Sequence, residues 1–253
     1  MEVFAMTYQA TFKRYEIKYL LTQRQKEAVL IAISPYMKLD KYGLVTIRNI
    51  YMDTDNFRLI RRSLEKPPYK EKLRIRSYRQ AMPETEVFVE LKKKYKSVVY
   101  KRRLSMPWEI AENSLAKDRP LPIASQIGKE IEYFRNFYGS LRPRMFLSYE
   151  REAYFAADGS DLRVTFDKNI LYRESDLSLC GGIYGDAVID EDQCLMEIKT
   201  SGGMPMWLSH ILSSQGLFKT CFSKYGNAYR DMMKRHGSYR CCDHDEGRIC
   251  YVG

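Results

Sequence analysis

Along most of this chain apolar and polar residues alternate, and elsewhere they fall into the three-to-four spacing of helices. Tyr8 to Leu20 alternates loosely and predicts a first strand. Thr22-Gln-Arg-Gln25 has the spacing of a capping box, so a helix should start there and run to Ser34, where Pro35 stops it. Val45 to Met52 predicts a strand, Thr54 to Leu64 a short helical or turn segment, and Pro67-Pro68 a break. Lys72 to Tyr78 and Glu86 to Lys93 alternate strictly and predict an antiparallel pair connected through Ala81-Met-Pro-Glu84, with Ser97 to Ser105 as the next strand.

Helical spacing returns over residues 109–117 and 123–138. In the second, Ile123, Ile127, Ile131, Phe134 and Tyr138 form one stripe, and Gly139 is placed to end it. After Arg142-Pro143 strands are expected at Met145 to Phe155, Leu162 to Asp167 and Gln193 to Thr200, with the Gly- and Asp-rich segment 172–191 irregular. Helices over Pro205 to Ser214 and Ser223 to His236 close the pattern, followed by Gly216 and Gly237. No repeat, low-complexity tract or linker interrupts it. The expectation is one domain, residues 1–240, and a tail, 241–253.

The polar faces of these strands are unusual. In Lys72-Leu-Arg-Ile-Arg76, Lys72, Arg74 and Arg76 point one way and Leu73 and Ile75 the other. Charges about 7 Å apart repel by roughly 0.6 kcal/mol per pair in water and by several times more in a low dielectric. Interleaved acids would relieve that, and none is present here. Elsewhere Glu90 shares a face with Lys92, Arg163 with Thr165 and Asp167, Glu197 with Lys199, and Tyr149 with Arg151. For any one strand, a solvated face is the ordinary explanation. Four strands with the same pattern, dominated by base, favour charged faces turned into a common lumen. A lumen of Lys and Arg calls for an anion, and arginine matches phosphate oxygens bidentately. Glu197 among these bases, and Glu90 beside them, are hard oxygen ligands suited to Mg²⁺ or Mn²⁺ bridging phosphates.

Charge placement sharpens this picture. The 253 residues carry 42 Lys and Arg against 32 Asp and Glu. Between Lys70 and Arg103 lie twelve of those bases and only four Glu, which implies a polyanionic partner. The length suffices for a full core without disulfides or a structural metal, and 20 Tyr with 11 Phe exclude a disordered chain. No apolar run reaches membrane-spanning length and the first residues do not form a secretory signal, so a cytoplasmic protein with reduced thiols is expected. Cys241, Cys242, His244 and Cys250 lack a paired CxxC spacing and are taken as a soft tail.

Several chemistries are missing. There is no P-loop, glycine-rich kinase loop or dinucleotide fingerprint, and His210, His236 and His244 make no zinc-protease spacing. His210 lies in an apolar helical stretch and is assigned to structure. Tyr69, Tyr78, Tyr95 and Tyr100 flank the basic stretch as they would in an RNA-binding surface, but tyrosine is abundant throughout. Strict alternation favours an enclosed site.

The ordered segments Arg14-Tyr-Glu-Ile-Lys18-Tyr, Tyr51-Met-Asp-Thr54, Lys72-Leu-Arg-Ile-Arg76, Val87-Phe-Val-Glu-Leu-Lys92, Arg142-Pro143, Ser148-Tyr-Glu-Arg151, Arg163-Val-Thr-Phe-Asp167, Leu195-Met-Glu-Ile-Lys199 and Phe222-Ser-Lys-Tyr225 carry a resemblance. The chain resembles the vacuolar transporter chaperone (VTC) domain family of the triphosphate tunnel metalloenzymes. That resemblance implies an α+β fold, a closed antiparallel β-barrel forming a triphosphate tunnel with helices packed outside. It implies a polyphosphate polymerase using ATP with Mn²⁺ or Mg²⁺. By its pattern Arg74, Arg76, Lys92, Arg151 and Arg163 would act on the transferring phosphoryl group, Lys18, Lys101 and Lys224 would bind phosphate, and Glu197 would hold the metal. Lys72 and Lys199 join the phosphate-binding set from the strand-face argument. Cys221 departs from the family, which often has a base at that position. The partners expected are ATP and polyphosphate or triphosphate and no nucleic acid, with a membrane-protein partner left open. A triphosphatase of the same fold and a silent polyphosphate-binding module are the alternatives.

Overall fold

The computed structural model describes residues 11–12 and 15–237, apart from 97, 118, 123, 124 and 140. Residues 8–10 and 13–14 of the expected first strand and the cysteine-bearing tail fall outside the described residues. The strands are β1 (Thr11–Phe12), β2 (Tyr15–Thr22), β3 (Met37–Leu39), β4 (Val45–Asp53), β5 (Tyr69–Ser77), β6 (Glu86–Tyr95), β7 (Val98–Pro107), β8 (Arg142–Ala156), β9 (Arg163–Arg173), β10 (Asp186–Ala187) and β11 (Gln193–Thr200). The α-helices are α1 (Gln23–Ile33), α2 (Arg58–Leu64), α3 (Trp108–Ala111), α4 (Gln126–Tyr138), α5 (Met206–Ser214) and α6 (Lys224–Arg235).

Local chemistry accounts for most boundaries. The Thr22 side chain accepts from the Gln25 N–H while the Gln25 side chain accepts from the Thr22 N–H, the reciprocal cap expected of this spacing. Ser125 and Ser223 cap α4 and α6 by a single bond each, the hydroxyl accepting from the Gly128 and Gly226 N–H. Gly139 ends α4 at a φ of 75° that a side chain would resist. Two expectations are corrected. The helix over 109–117 is one α-turn followed by a π-helical turn, Glu112–Ala116. The irregular segment 172–191 starts too early, because β9 runs on to Arg173 and β10 pairs with it.

Every pairing is antiparallel, and the main ladder runs β1-β7-β6-β5-β4-β8-β9-β11-β2, with β3 on β8 and β10 on β9. The expected closed barrel is therefore not a closed ladder: among the described residues hydrogen bonding ends at β1 on one side and β2 on the other. Those two edge strands are consecutive in the chain. The sheet also curls enough for Lys92 of β6 to come within 3.7 Å of Glu16 of β2, two strands that do not pair.

The outward faces of the strands make the core. Leu73, Ile75, Val87, Val89 and Leu91 pack against Trp108, Ile131 and Phe134 of α3 and α4. Leu21, Val164, Phe166, Met196 and Ile198 pack with Val29 and Ile33 of α1 and Leu208 and Leu212 of α5. A third cluster joins Ile60 of α2 to Tyr225, Ala228, Tyr229 and Met232 of α6. Gly226 lets α6 approach α2, since a Cβ there would lie 2.9 Å from Leu64. Among the described residues no helix is long and apolar enough to cross a membrane. His210 is exposed on α5, so it has no part in the core.

Candidate functional site: a cationic cavity inside the curled sheet

With apolar residues outward, the alternate residues of the curled sheet turn inward and line a cavity of about 1210 Å³. Fourteen Lys and Arg and four Asp and Glu line it, a surplus of ten. That equals the formal net charge of the whole chain, so the rest of the molecule is charge-balanced. All eleven residues singled out from the sequence are in the lining: Lys18, Lys72, Arg74, Arg76, Lys92, Lys101, Arg151, Arg163, Glu197, Lys199 and Lys224.

Register arranges these charges in rungs. Lys72, Lys92 and Lys101 lie opposite one another on β5, β6 and β7, and the next rung is Arg74, Glu90 and Arg103. Across the cavity Glu197 of β11 lies between Lys18 of β2 and Thr165 of β9, and Lys199 between Glu16 and Arg163. Arg151 of β8 faces Asp167 of β9. The start of α6 adds Lys224 from below, with the preceding segment tied down by Lys18 Nζ donating to the Phe222 carbonyl at 3.0 Å.

Three buried carboxylates organise the bases. Glu90, 1% exposed, accepts on Oε2 from Arg74 Nε and Nη2 at 2.9 and 2.7 Å. Its Oε1 accepts from Arg103 Nε and Nη2 at 2.9 and 2.6 Å, with Lys101 Nζ at 2.7 Å. Burial alone would raise the Glu90 carboxyl, but Arg74, Arg76 and Lys101 outweigh it and hold the group far below the usual range. Asp167 takes both arms of Arg151 at 2.5 and 2.6 Å and Lys224 at 2.5 Å. Glu197 meets Lys224 and Lys199 at 3.0 Å, Lys18 at 3.3 Å and Arg151 at 3.5 Å. Here too burial is outweighed by the cations, Lys224 first, and the carboxyl stays well below its ordinary value.

The Lys72 rung is the least compensated. The one hydrogen bond of Lys72 goes to the Ser223 hydroxyl at 3.1 Å. Burial, reinforced by Lys92, Lys18, Lys70 and Arg74, brings its ammonium down to about 7. Lys101 is brought down to about 8, chiefly by burial, against the pull of Glu90. Arg76 is anchored, Nε donating to the Asn49 side-chain amide oxygen and Nη2 to the Tyr149 hydroxyl, both at 2.9 Å. Arg163 sits at the rim, about half-exposed, with Asp40 at 3.5 Å.

Four participants escaped the sequence reading as site residues. Glu16 and Arg103 lie two residues from Lys18 and Lys101 on the same strand faces, so the alternation that found those lysines would have found them too. Asp167 was placed on the basic face without a role. Tyr149, beside Arg76 and under Lys224 and Arg151, has a phenol that burial would raise but those cations lower.

Among the described residues no three His, Cys, Asp or Glu side chains gather as a self-sufficient metal site. The donors that exist are Glu197 and Glu16, on adjacent strands β11 and β2 and close enough to influence one another's ionisation. Burial would raise Glu16, but Lys92 and Lys18 outweigh it and bring it to about 2, so it is an anionic oxygen donor at neutral pH. One or two carboxylates completed by phosphate oxygens and water is the usual donor set for Mg²⁺. The residues present fit that chemistry.

Solved structures with some similarity include a candidate adenylate cyclase from Bacillus halodurans, 13% identical over 94% of this chain and 97% of that one, with a TM-score of 0.46. A candidate adenylyl cyclase from Hippeastrum, described as having a dominant triphosphatase activity, is 17% identical over 91% of this chain and 99% of that one, with a TM-score of 0.49. A candidate adenylate cyclase from Vibrio parahaemolyticus is 11% identical over 87% and 99%, with a TM-score of 0.45. Likeness at this level carries no argument about activity. No match is found among curated proteins. The model of the VTC domain, by contrast, matches residues 13–233, nearly the whole described structure, and the chain belongs to the VTC domain family.

Proposed function

We propose that the cavity is a tunnel for linear phosphate chains and that the protein is a polyphosphate polymerase, transferring the γ-phosphoryl group of ATP to a growing chain. The observation that carries this reading is the cavity's surplus of ten cations, which makes up the entire net charge of the protein. An empty cavity with that charge repels itself, and a polyphosphate removes the repulsion while meeting the arginine forks bidentately.

Phosphoryl transfer asks the protein for alignment and charge stabilisation more than for covalent chemistry. Arg74 and Arg151 are each locked to a buried carboxylate, so their outward N–H groups are presented with little freedom left to lose. Lys72, Lys92 and Lys101 supply point charges along the same line. Lys18, Lys199 and Lys224 surround Glu197 and would take the anionic oxygens displaced toward it. Glu197, with Glu16, would hold Mn²⁺ or Mg²⁺, which when bound neutralises charge developing between the phosphates. The attacking terminal phosphate is already ionised, so no general base is required.

The purified chain incubated with ATP and Mn²⁺ should form polyphosphate. Release of free phosphate without chain growth would replace the polymerase with a triphosphatase of the same site. Glu197→Gln keeps size and polarity and should lower metal-dependent turnover at least ~100-fold. Parent-level turnover in that variant across a metal titration would remove Glu197 from the site.

A further inference from the structure

The inward face of β5 does not end at Lys72. Residues two apart on a strand share a face, so Lys70 continues the row Arg76, Arg74, Lys72 toward the Pro67-Pro68 break. On β6 Lys94 follows Lys92 in the same way. The register sets Lys70 directly opposite Lys94, one rung beyond the Lys72–Lys92 pair. Both residues are half-buried. Lys70 donates to the Ser63 carbonyl at 3.4 Å, and neither lysine has an ion-pair partner among the described residues.

Like charges directly opposite on neighbouring strands are destabilising. A solvated hairpin would normally separate them or interleave acids. Neither lysine lines the cavity itself, but Lys70 is joined to it electrically. Burial lowers the Lys70 ammonium, with Lys94, Lys18 and Lys66 adding to it against Cys221, and Lys70 is among the charges that act on Lys72.

We propose that Lys70 and Lys94 form an outer phosphate subsite, continuous with Lys72 and Lys92, that engages only phosphate chains longer than triphosphate. This rests on the phosphate reading of the cavity and adds the length of chain the protein selects. From Arg76 to Lys70 the strand runs six residues, about 20 Å, further than three linked phosphates reach. Triphosphate is held by the inner rungs, while a longer linear chain continues to the outer one. The charges form a line and not a cluster, which suits a linear polyphosphate better than a compact anion.

Calorimetric titration of the whole chain tests this with two ligands: triphosphate and a linear polyphosphate of roughly ten units, enough to cover about 20 Å of strand. Lys70→Gln/Lys94→Gln should bind triphosphate within about twofold of the parent and the long chain at least about tenfold more weakly, the scale of one charged hydrogen bond. Lys70→Arg/Lys94→Arg should keep long-chain binding. An unchanged long-chain affinity in the glutamine variant, or an equal loss for both ligands, overturns the outer subsite and leaves the cavity reading standing. A parent that binds neither ligand overturns the cavity reading itself.

Discussion

Lys72 and Arg76 sit four residues apart on one face of β5, and in the empty cavity their situations are opposite. Arg76 satisfies Asn49 and Tyr149, so Arg76→Met leaves two buried polar groups without their donor and should cost about 1–3 kcal/mol of stability. Lys72 meets like charge, one hydroxyl and, at 5.9 Å, the face of the Tyr225 ring. Lys72→Met keeps the apolar stem and removes the repelled ammonium, so the ligand-free variant should be at least as stable as the parent at pH 7. The pH dependence has a definite sign. With its folded value near 7 against 10.5 unfolded, Lys72 lets the unfolded chain take up a proton that the folded chain refuses between those limits. Its contribution to stability is thus lost as pH falls across that window, and the advantage of Lys72→Met should be full at pH 7 and shrink toward pH 10. Urea denaturation of both proteins at the two pH values measures this. A Lys72→Met protein less stable than the parent at pH 7 would make Lys72 a structural partner.

At the scale of elements, the short helix α2 depends on a residue outside it. Its first residue is preceded by Phe57 in a left-handed conformation, which offers no side-chain cap. Asp53, at the end of β4 and fully buried, accepts from the N–H groups of Leu59 and Ile60 at 2.8 and 3.0 Å and from the Tyr225 hydroxyl of α6 at 2.9 Å. One carboxylate thereby ties β4, α2 and the start of α6, the turn that presents Lys224 to the cavity. Asp53→Ala strands four buried donors, those three and the Thr54 N–H at 2.9 Å, and should destabilise the protein by about 2–4 kcal/mol, whereas Tyr225→Phe should cost about 1 kcal/mol. Chemical denaturation gives both numbers, and Asp53→Ala as mild as Tyr225→Phe would refute the three-way tie. The segment Tyr51-Met-Asp-Thr54 is thus a structural fastening as much as part of the cavity wall.

At the scale of the whole molecule, the free energy of the empty cavity is set by its surplus charge. Added salt screens that repulsion and also screens the attraction for a polyanion. Raising NaCl from about 0.02 to 0.2 M, where the Debye length falls from roughly 20 to 7 Å, should raise the melting temperature of the free protein and reduce the gain produced by triphosphate. Thermal melts with and without triphosphate at both salt concentrations show whether the two shifts have opposite sign. A free protein indifferent to salt would mean that the bases are already neutralised by Glu90, Asp167 and Glu197.

Alternation along the chain by itself determined the strands β4 to β8 and β11, the inward placement of Lys72, Arg74, Arg76, Lys92 and Lys199, and the outward core of Leu73, Ile75, Val89 and Leu91, because a strand's period of two is a local property. The cap at Thr22 was equally local. Tertiary structure alone decided how the charges combine. Which carboxylate meets which base depends on the register of neighbouring strands, as for Arg151 with Asp167 and Arg103 with Glu90, and on the curl that brings Lys92 to Glu16 across strands that never pair. Lys224 reaches Glu197 only because Asp53 and Gly226 bring α6 against α2 and the floor of the cavity. The open seam between β1 and β2 was likewise beyond the reach of alternation, which specifies faces and says nothing of whether the last strand finds the first. Composition reported a surplus of ten cations, and only the curl of the sheet gathered that whole surplus into one cavity.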